Sequence, residues 1–76
     1  MYISVIIPTL NEGEHISQTL SCVQAIRHRG HEVIVVDAGS DDNTVEFASP
    51  LCDKVIQSER GRAQQMQAGV NISSGD

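Results

Sequence analysis

The sequence predicts an α/β fold built on a three-stranded parallel sheet, with helices as the crossovers. Two observations carry this expectation. The runs Ile3-Ser4-Val5-Ile6-Ile7 and Val33-Ile34-Val35-Val36 are rich in β-branched residues and lack polar alternation, as strands covered on both faces do. Segments with helical spacing of apolar residues lie between and after the strands, giving the order β-α-β-α-β-α. Crossovers between parallel strands are right-handed, so a strand order of 3-2-1 follows. The chain of 76 residues has room for one domain, residues 1–76, and neither an internal repeat nor a linker divides it.

Each element has a local reason. Pro8 should stop the first strand. Asn11 stands three residues before Glu14, a capping arrangement for a first helix whose apolar face is Ile16, Leu20, Val23 and Ile26. Arg27, His28 and Arg29 suit the last turn of that helix, and Gly30 can end it. Asp37 closes the second strand. Ala38-Gly39-Ser40-Asp41-Asp42-Asn43 is turn chemistry leading to a short helix from Thr44, which should bury Val45 and Ala48 and stop at Pro50. Lys54-Val55-Ile56-Gln57 is the third strand. The third helix should begin near Arg62 and place Ala63, Met66 and Val70 on one side as its apolar face, before a loop over Ser73-Ser74-Gly75-Asp76.

Composition narrows the function. Five Lys+Arg against ten Asp+Glu give a formal net charge of −5, which argues against a nucleic-acid partner. Aromatic residues make up only 3%, so aliphatic side chains must form the core. Cys22 and Cys52 lack Cys-x-x-Cys spacing and are expected as reduced, mostly buried thiols. His15, His28 and His31 share no ligand spacing with them, so no metal site is expected in this chain. The segment Met1-Tyr2-Ile3-Ser4 has neither a basic n-region nor a long apolar stretch, so no membrane span is expected and a cytoplasmic location is the default.

In open parallel sheets ligands bind beyond the carboxyl ends of the strands. Three polar segments should meet there: Pro8-Thr9-Leu10-Asn11-Glu12, the turn from Asp37 to Thr44, and Ser58-Glu59-Arg60-Gly61-Arg62. Asp37 could accept hydrogen bonds from a ribose diol or a base N–H, or could cap the turn that follows it. Glu12 could accept from a ribose hydroxyl or favour a helix start. Asp42 and Thr44 read as turn locks. Arg60 and Arg62 flank Gly61 at a helix start, where a guanidinium and backbone N–H groups could hold a diphosphate, or could be two solvated surface arginines. Neither a dinucleotide fingerprint nor a P-loop is present, and no serine has a placed base.

Together these segments resemble the amino-terminal nucleotide-binding half of a family 2 glycosyltransferase with a GT-A fold. The resemblance rests on Ser4-Val5-Ile6-Ile7-Pro8-Thr9-Leu10-Asn11-Glu12, on the stretch from Glu32 through Asp37 to Thr44, on Arg60-Gly61-Arg62-Ala63 to Ala68-Gly69, and on Gly75-Asp76. The arginine segment is similar to a bacterial subgroup with Arg-Gly-Arg-Ala-x-Gln-Met. The resemblance implies a Rossmann-like sheet and a site for a nucleoside diphosphate sugar. Pro8 and Glu12 would hold base and ribose with Thr9 beside them, Asp37 the nucleoside and Arg62 the diphosphate. The acceptor is left open. Many members carry a second acid where Ala38 stands, often credited with reading uracil, so the base is left open too. Gln67 stands where an Asn is common.

Members of this family continue into a fourth strand, beside the first, and an Asp-x-Asp site for Mn²⁺ or Mg²⁺; the base that serves the acceptor comes later still. This sequence has no Asp-x-Asp, and Asp41-Asp42 is a turn pair. The resemblance therefore implies an amino-terminal fragment with no catalytic residue of its own, inactive alone, whose first strand is an unprotected edge open to homodimerisation or aggregation. Two other readings remain. One is a non-catalytic nucleotide-binding module. The other is a receiver-like domain with Asp37 as phosphoacceptor, which Glu12 fits poorly and which lacks the later Lys.

Overall fold

The computed structural model describes residues 2–73. Three parallel strands form one sheet: β1 (Ser4–Thr9), β2 (Glu32–Asp37) and β3 (Lys54–Gln57), with β2 in the centre. The connections are α1 (Ile16–Ser21) and α2 (Gln24–His28) between β1 and β2, then α3 (Thr44–Ala48) and a 3-10 turn (Ser49–Leu51) between β2 and β3; α4 (Arg62–Ile72) follows β3. The Rossmann-like α/β architecture and the strand order match the expectation.

β2 is buried along its whole length, as its unbroken apolar run requires. Its odd-numbered residues Val33 and Val35 join Ile16, Leu20, Ala48 and Cys52 in the core, flanked by Val5, Ile7, Val23, Leu51 and Val55. Its even-numbered Ile34 and Val36 are buried too, on the opposite face, and α4 packs across β1 and β2. At the amino end of the sheet, Glu32 is buried because it has partners: Lys54 Nζ lies 3.2 Å from Oε1, and Ser4 Oγ donates to Oε2 at 2.5 Å.

Five expectations need correction. β1 runs through Pro8 to Thr9, with Pro8 opposite Val36 and Thr9 opposite Asp37. The carbonyls of Ile3 and Thr9 both accept from the β2 side, from Glu32 N and Ala38 N, so alternation turns the imide nitrogen of Pro8 to the open side. A proline there costs the ladder nothing.

The first helix is two helices, and the sequence-predicted three are four. Val23 N bonds to Leu20 O at 3.1 Å, and the Gln24 side chain takes that same carbonyl at 2.9 Å, along with Leu51 O at 2.8 Å. The regular i→i−4 ladder is thereby interrupted between α1 and α2. The first of these helices begins at Ile16, and Asn11 does not cap it. Asn11 has φ +53° and spends its polar groups on a distant loop, as described below.

In α4 the inward face is Gln65 and Gly69. Ala63 is exposed, as are Met66 (38%) and Val70 (53%). The reason is steric and polar together. A Cβ on Gly69 would lie 2.5 Å from Ile6 Cγ2, so only glycine lets the helix approach β1 this closely. Gln65 supplies hydrogen bonds to sheet carbonyls that an apolar residue could not.

The last correction concerns the thiols. Cys52 is buried, and burial raises its pKa, while Cys22 is exposed. Gly30, at φ +92°, follows α2 as expected. The closing Gly75-Asp76 pair of the resemblance lies outside the described residues.

Candidate nucleotide site

The carboxyl edge of the sheet is held by an exchange of hydrogen bonds between the loops after β1 and β2. Asn11 N donates to Ser40 Oγ at 2.8 Å, and Asp41 N donates to Asn11 Oδ1 at 2.8 Å. Glu12 N donates to Thr44 Oγ1 at 2.8 Å, and Gly13 N donates to Asp42 Oδ2 at 3.0 Å. Asp42 also accepts from the backbone N–H of Thr44 at 2.9 Å and from its hydroxyl. Its carboxyl is held below the usual range, chiefly by that hydroxyl. Gly13 belongs to this junction, since a Cβ there would meet Asp42 Oδ2 at 2.9 Å. Asp42 and Thr44 are thus turn locks, as their residue types suggest.

Asp37 lies beneath the junction with 1% of its surface exposed. Oδ1 accepts from Thr9 Oγ1 at 3.0 Å and Ser40 Oγ at 2.5 Å; Oδ2 accepts from Gly39 N at 3.1 Å and Ser40 N at 2.8 Å. The network further turns the amide nitrogen of Gln57 toward it, 3.3 Å from Oδ2. Burial pushes the carboxyl pKa up, and the bonds from Ser40, Thr9 and Gly39 outweigh it, leaving the group below its ordinary value. A carboxylate enclosed this way caps the turn. It is not presented to solvent as a phosphoacceptor, which removes the receiver-like reading.

Above Asp37 a cleft of ≈ 170 Å³ opens between the loop after β1 and the start of α4. Pro8, Thr9, Leu10, Glu12, Arg62 and Gln65 line it. Four of the five sequence-predicted residues therefore meet around one space: Pro8, Thr9, Glu12 and Arg62. The fifth, Asp37, reaches it through the Thr9 hydroxyl. Gly61, at φ +126°, turns the chain into α4, and Arg62 stands on the first turn of that helix. Arg60, the other flanking arginine, is exposed and outside the cleft lining. Sequence reasoning singled out neither Leu10 nor Gln65, although both lie in the segments that carry the resemblance. Leu10 carries no polar signal, and Gln65 sits on the side of α4 that periodicity turned outward.

Among the described residues no group of three His, Cys, Asp or Glu side chains could hold a metal ion. Also among them, no helix is long and apolar enough to cross a membrane.

The model of the family described as glycosyl transferase family 2 matches residues 4–76. The chain belongs to glycosyl transferase family 2. Among its curated relatives is poly-beta-1,6-N-acetyl-D-glucosamine synthase of Staphylococcus aureus (strain COL), 31% identical over 97% of this chain and 19% of that protein. Dolichol-phosphate mannosyltransferase of Pyrococcus furiosus is 37% identical over 100% of this chain and 24% of its own length. The chain of this family 2 member thus spans about a fifth to a quarter of the relatives it matches.

Proposed function

We propose that this chain forms the nucleotide-binding part of a family 2 glycosyltransferase that uses a nucleoside diphosphate sugar as donor. The observation that carries the reading is the convergence of Pro8, Thr9, Glu12 and Arg62 on one cleft at the carboxyl edge of a parallel sheet. In this reading Pro8 and Thr9 flank the nucleoside, and Glu12 accepts from ribose hydroxyls. Arg62 and the amino end of α4 face the diphosphate, where a guanidinium and helix N–H groups favour an anion. Asp37 acts from below, by fixing Thr9 and the turn that Ser40 begins.

Transfer chemistry requires more than this cleft. The divalent metal that the family resemblance implies does not fit any set of described residues. Its ligands, and the base that activates the acceptor, would lie outside the segment seen here. The chain alone should therefore bind nucleotide and transfer no sugar.

Titration calorimetry with UDP, GDP and dTDP tests the first step. Micromolar to millimolar binding of one of them supports the donor site, and no binding by any refutes it. Donor hydrolysis and transfer assays with Mn²⁺ and Mg²⁺ test the second step. Turnover by the 76-residue chain would refute the dependence on outside residues.

A further inference from the structure

Gln65 enters the cleft from α4 with 7% of its surface exposed. Its Nε2 donates to two backbone carbonyls, Thr9 O and Val36 O, each at 3.0 Å. Both partners are acceptors only, so the atom between them has to be the amide nitrogen, and Oε1 is turned away from both. Among the described residues Oε1 has no donor, yet no fully buried side-chain oxygen is left unsatisfied. This oxygen therefore keeps some exposed surface, on a residue that lines the cleft.

The rest of the lining gives that oxygen a meaning. The Thr9 hydroxyl has committed its hydrogen to Asp37 and offers lone pairs only. The Glu12 carboxylate is an acceptor. Arg62 brings the cationic donors, and Pro8 and Leu10 are apolar. Ala38, buried at the end of β2, brings no side-chain acceptor. A ligand that fits must present N–H or O–H donors to the acceptors and an anionic group to Arg62.

Resting on the donor-site reading above, we infer that Gln65 Oε1 is a specificity-determining acceptor that receives a hydrogen bond from the nucleoside half of the bound nucleotide. Its amide nitrogen clamps α4 to the sheet, and its oxygen reads the ligand. Two donors common to UDP, GDP and dTDP have the required chemistry, the ring N–H beside a base carbonyl and the 3′-hydroxyl, and Gln65 Oε1 reads one of these two.

The experiment takes whichever of UDP, GDP and dTDP binds the 76-residue chain most tightly, together with its ring-N-methylated and 3′-deoxy analogues. The wild-type chain should prefer the parent over one analogue by about tenfold, the scale of one well-placed hydrogen bond. Which analogue is rejected identifies the donor. That preference should collapse toward unity in Gln65→Met. It should collapse equally in Gln65→Lys, whose ammonium can still donate to the Thr9 and Val36 carbonyls but accepts nothing. If Gln65 only holds the helix in place, parent and analogue will weaken together and the ratio will persist, which overturns the inference. A wild-type chain that fails to discriminate overturns it as well. Failure of every nucleotide to bind wild type refutes the donor-site reading itself and this inference with it.

Discussion

Thr9 and Asp37 are joined twice: they stand opposite one another in the β1–β2 register, and the Thr9 hydroxyl donates to Asp37 Oδ1 at 3.0 Å. One residue lines the cleft and the other is buried under it. The wall of the cleft is therefore set by a carboxylate that no ligand need touch.

Replacing that carboxylate tests its role. In Asp37→Asn an NH₂ group would face N–H and O–H donors, leaving at least one of them without an acceptor. Unfolding free energy should fall by about 2 kcal/mol, the usual cost of an unsatisfied buried polar group. Urea melts of the two proteins measure it. An unchanged midpoint would mean that the turn holds without Asp37.

The pH dependence follows in sign from the same bonds. The folded-state pKa of Asp37 is lowered, and so is that of Asp42. Such groups contribute stability that is fully present above the unfolded carboxylate pKa and lost as pH falls through the folded one. The thermal midpoint should therefore hold near neutrality and drop in acid below about pH 4. In Asp37→Asn the acid drop should be shallower. An identical acid limb would assign the loss to other groups.

Arg62→Ala should weaken nucleoside diphosphate binding by about 1–2 kcal/mol, as expected for a partly exposed charge-assisted contact. Added salt should weaken wild type more than the variant, because screening acts on the charge that the variant lacks. Calorimetry at two ionic strengths reads both effects. Equal affinities would take Arg62 out of the site.

How far the sequence reaches is visible in these same residues. β2 and β3 are legible because a strand buried on both faces, or ended by turn residues, carries its reason locally. The gathering of Pro8, Thr9, Glu12 and Arg62 is legible because topology alone brings strand ends together. Asn11 was not legible. Its partners Ser40 and Asp41 lie about thirty positions away, and local spacing made it a helix cap. The inward face of α4 was hidden for a related reason. Its burial is decided by Ile6 against Gly69 and by two sheet carbonyls against Gln65, not by the apolarity of Met66 and Val70.

The Gly69 contact gives a prediction of unusual sign. Alanine is the better helix former by about 1 kcal/mol, so Gly69→Ala would stabilise an unconstrained helix. Here the new Cβ falls 2.5 Å from Ile6 Cγ2, on a stiff β-branched side chain. Overpacking of this kind costs about 1–3 kcal/mol, so the variant should be less stable. In an Ile6→Ala background the same change should become neutral or stabilising. Additive effects in that double-mutant cycle would disprove the close approach.

The edge of the sheet carries the last prediction. Among the described residues β1 has a neighbouring strand on one side only. Alternation turns the backbone of Ile6 to the open side, where Pro8 offers no N–H. The segment from Ile3 to Ile7 carries no charge, and Ile3 is 41% exposed. Natural edges are guarded by lysines, bulges or inward charges, and this one has only the proline near its end. The isolated 76-residue chain should therefore self-associate through β1 at high micromolar concentration. Ser4 is a poor position for a protecting charge, because its hydroxyl donates to buried Glu32. Ile3 is better placed, since its side chain is exposed and its backbone N–H already donates to His31 Nδ1 at 2.9 Å. Ile3→Lys should shift the chain toward monomer in sedimentation velocity with little change in its melting midpoint. A wild-type chain that sediments as a stable monomer at that concentration would show that this edge is protected in solution.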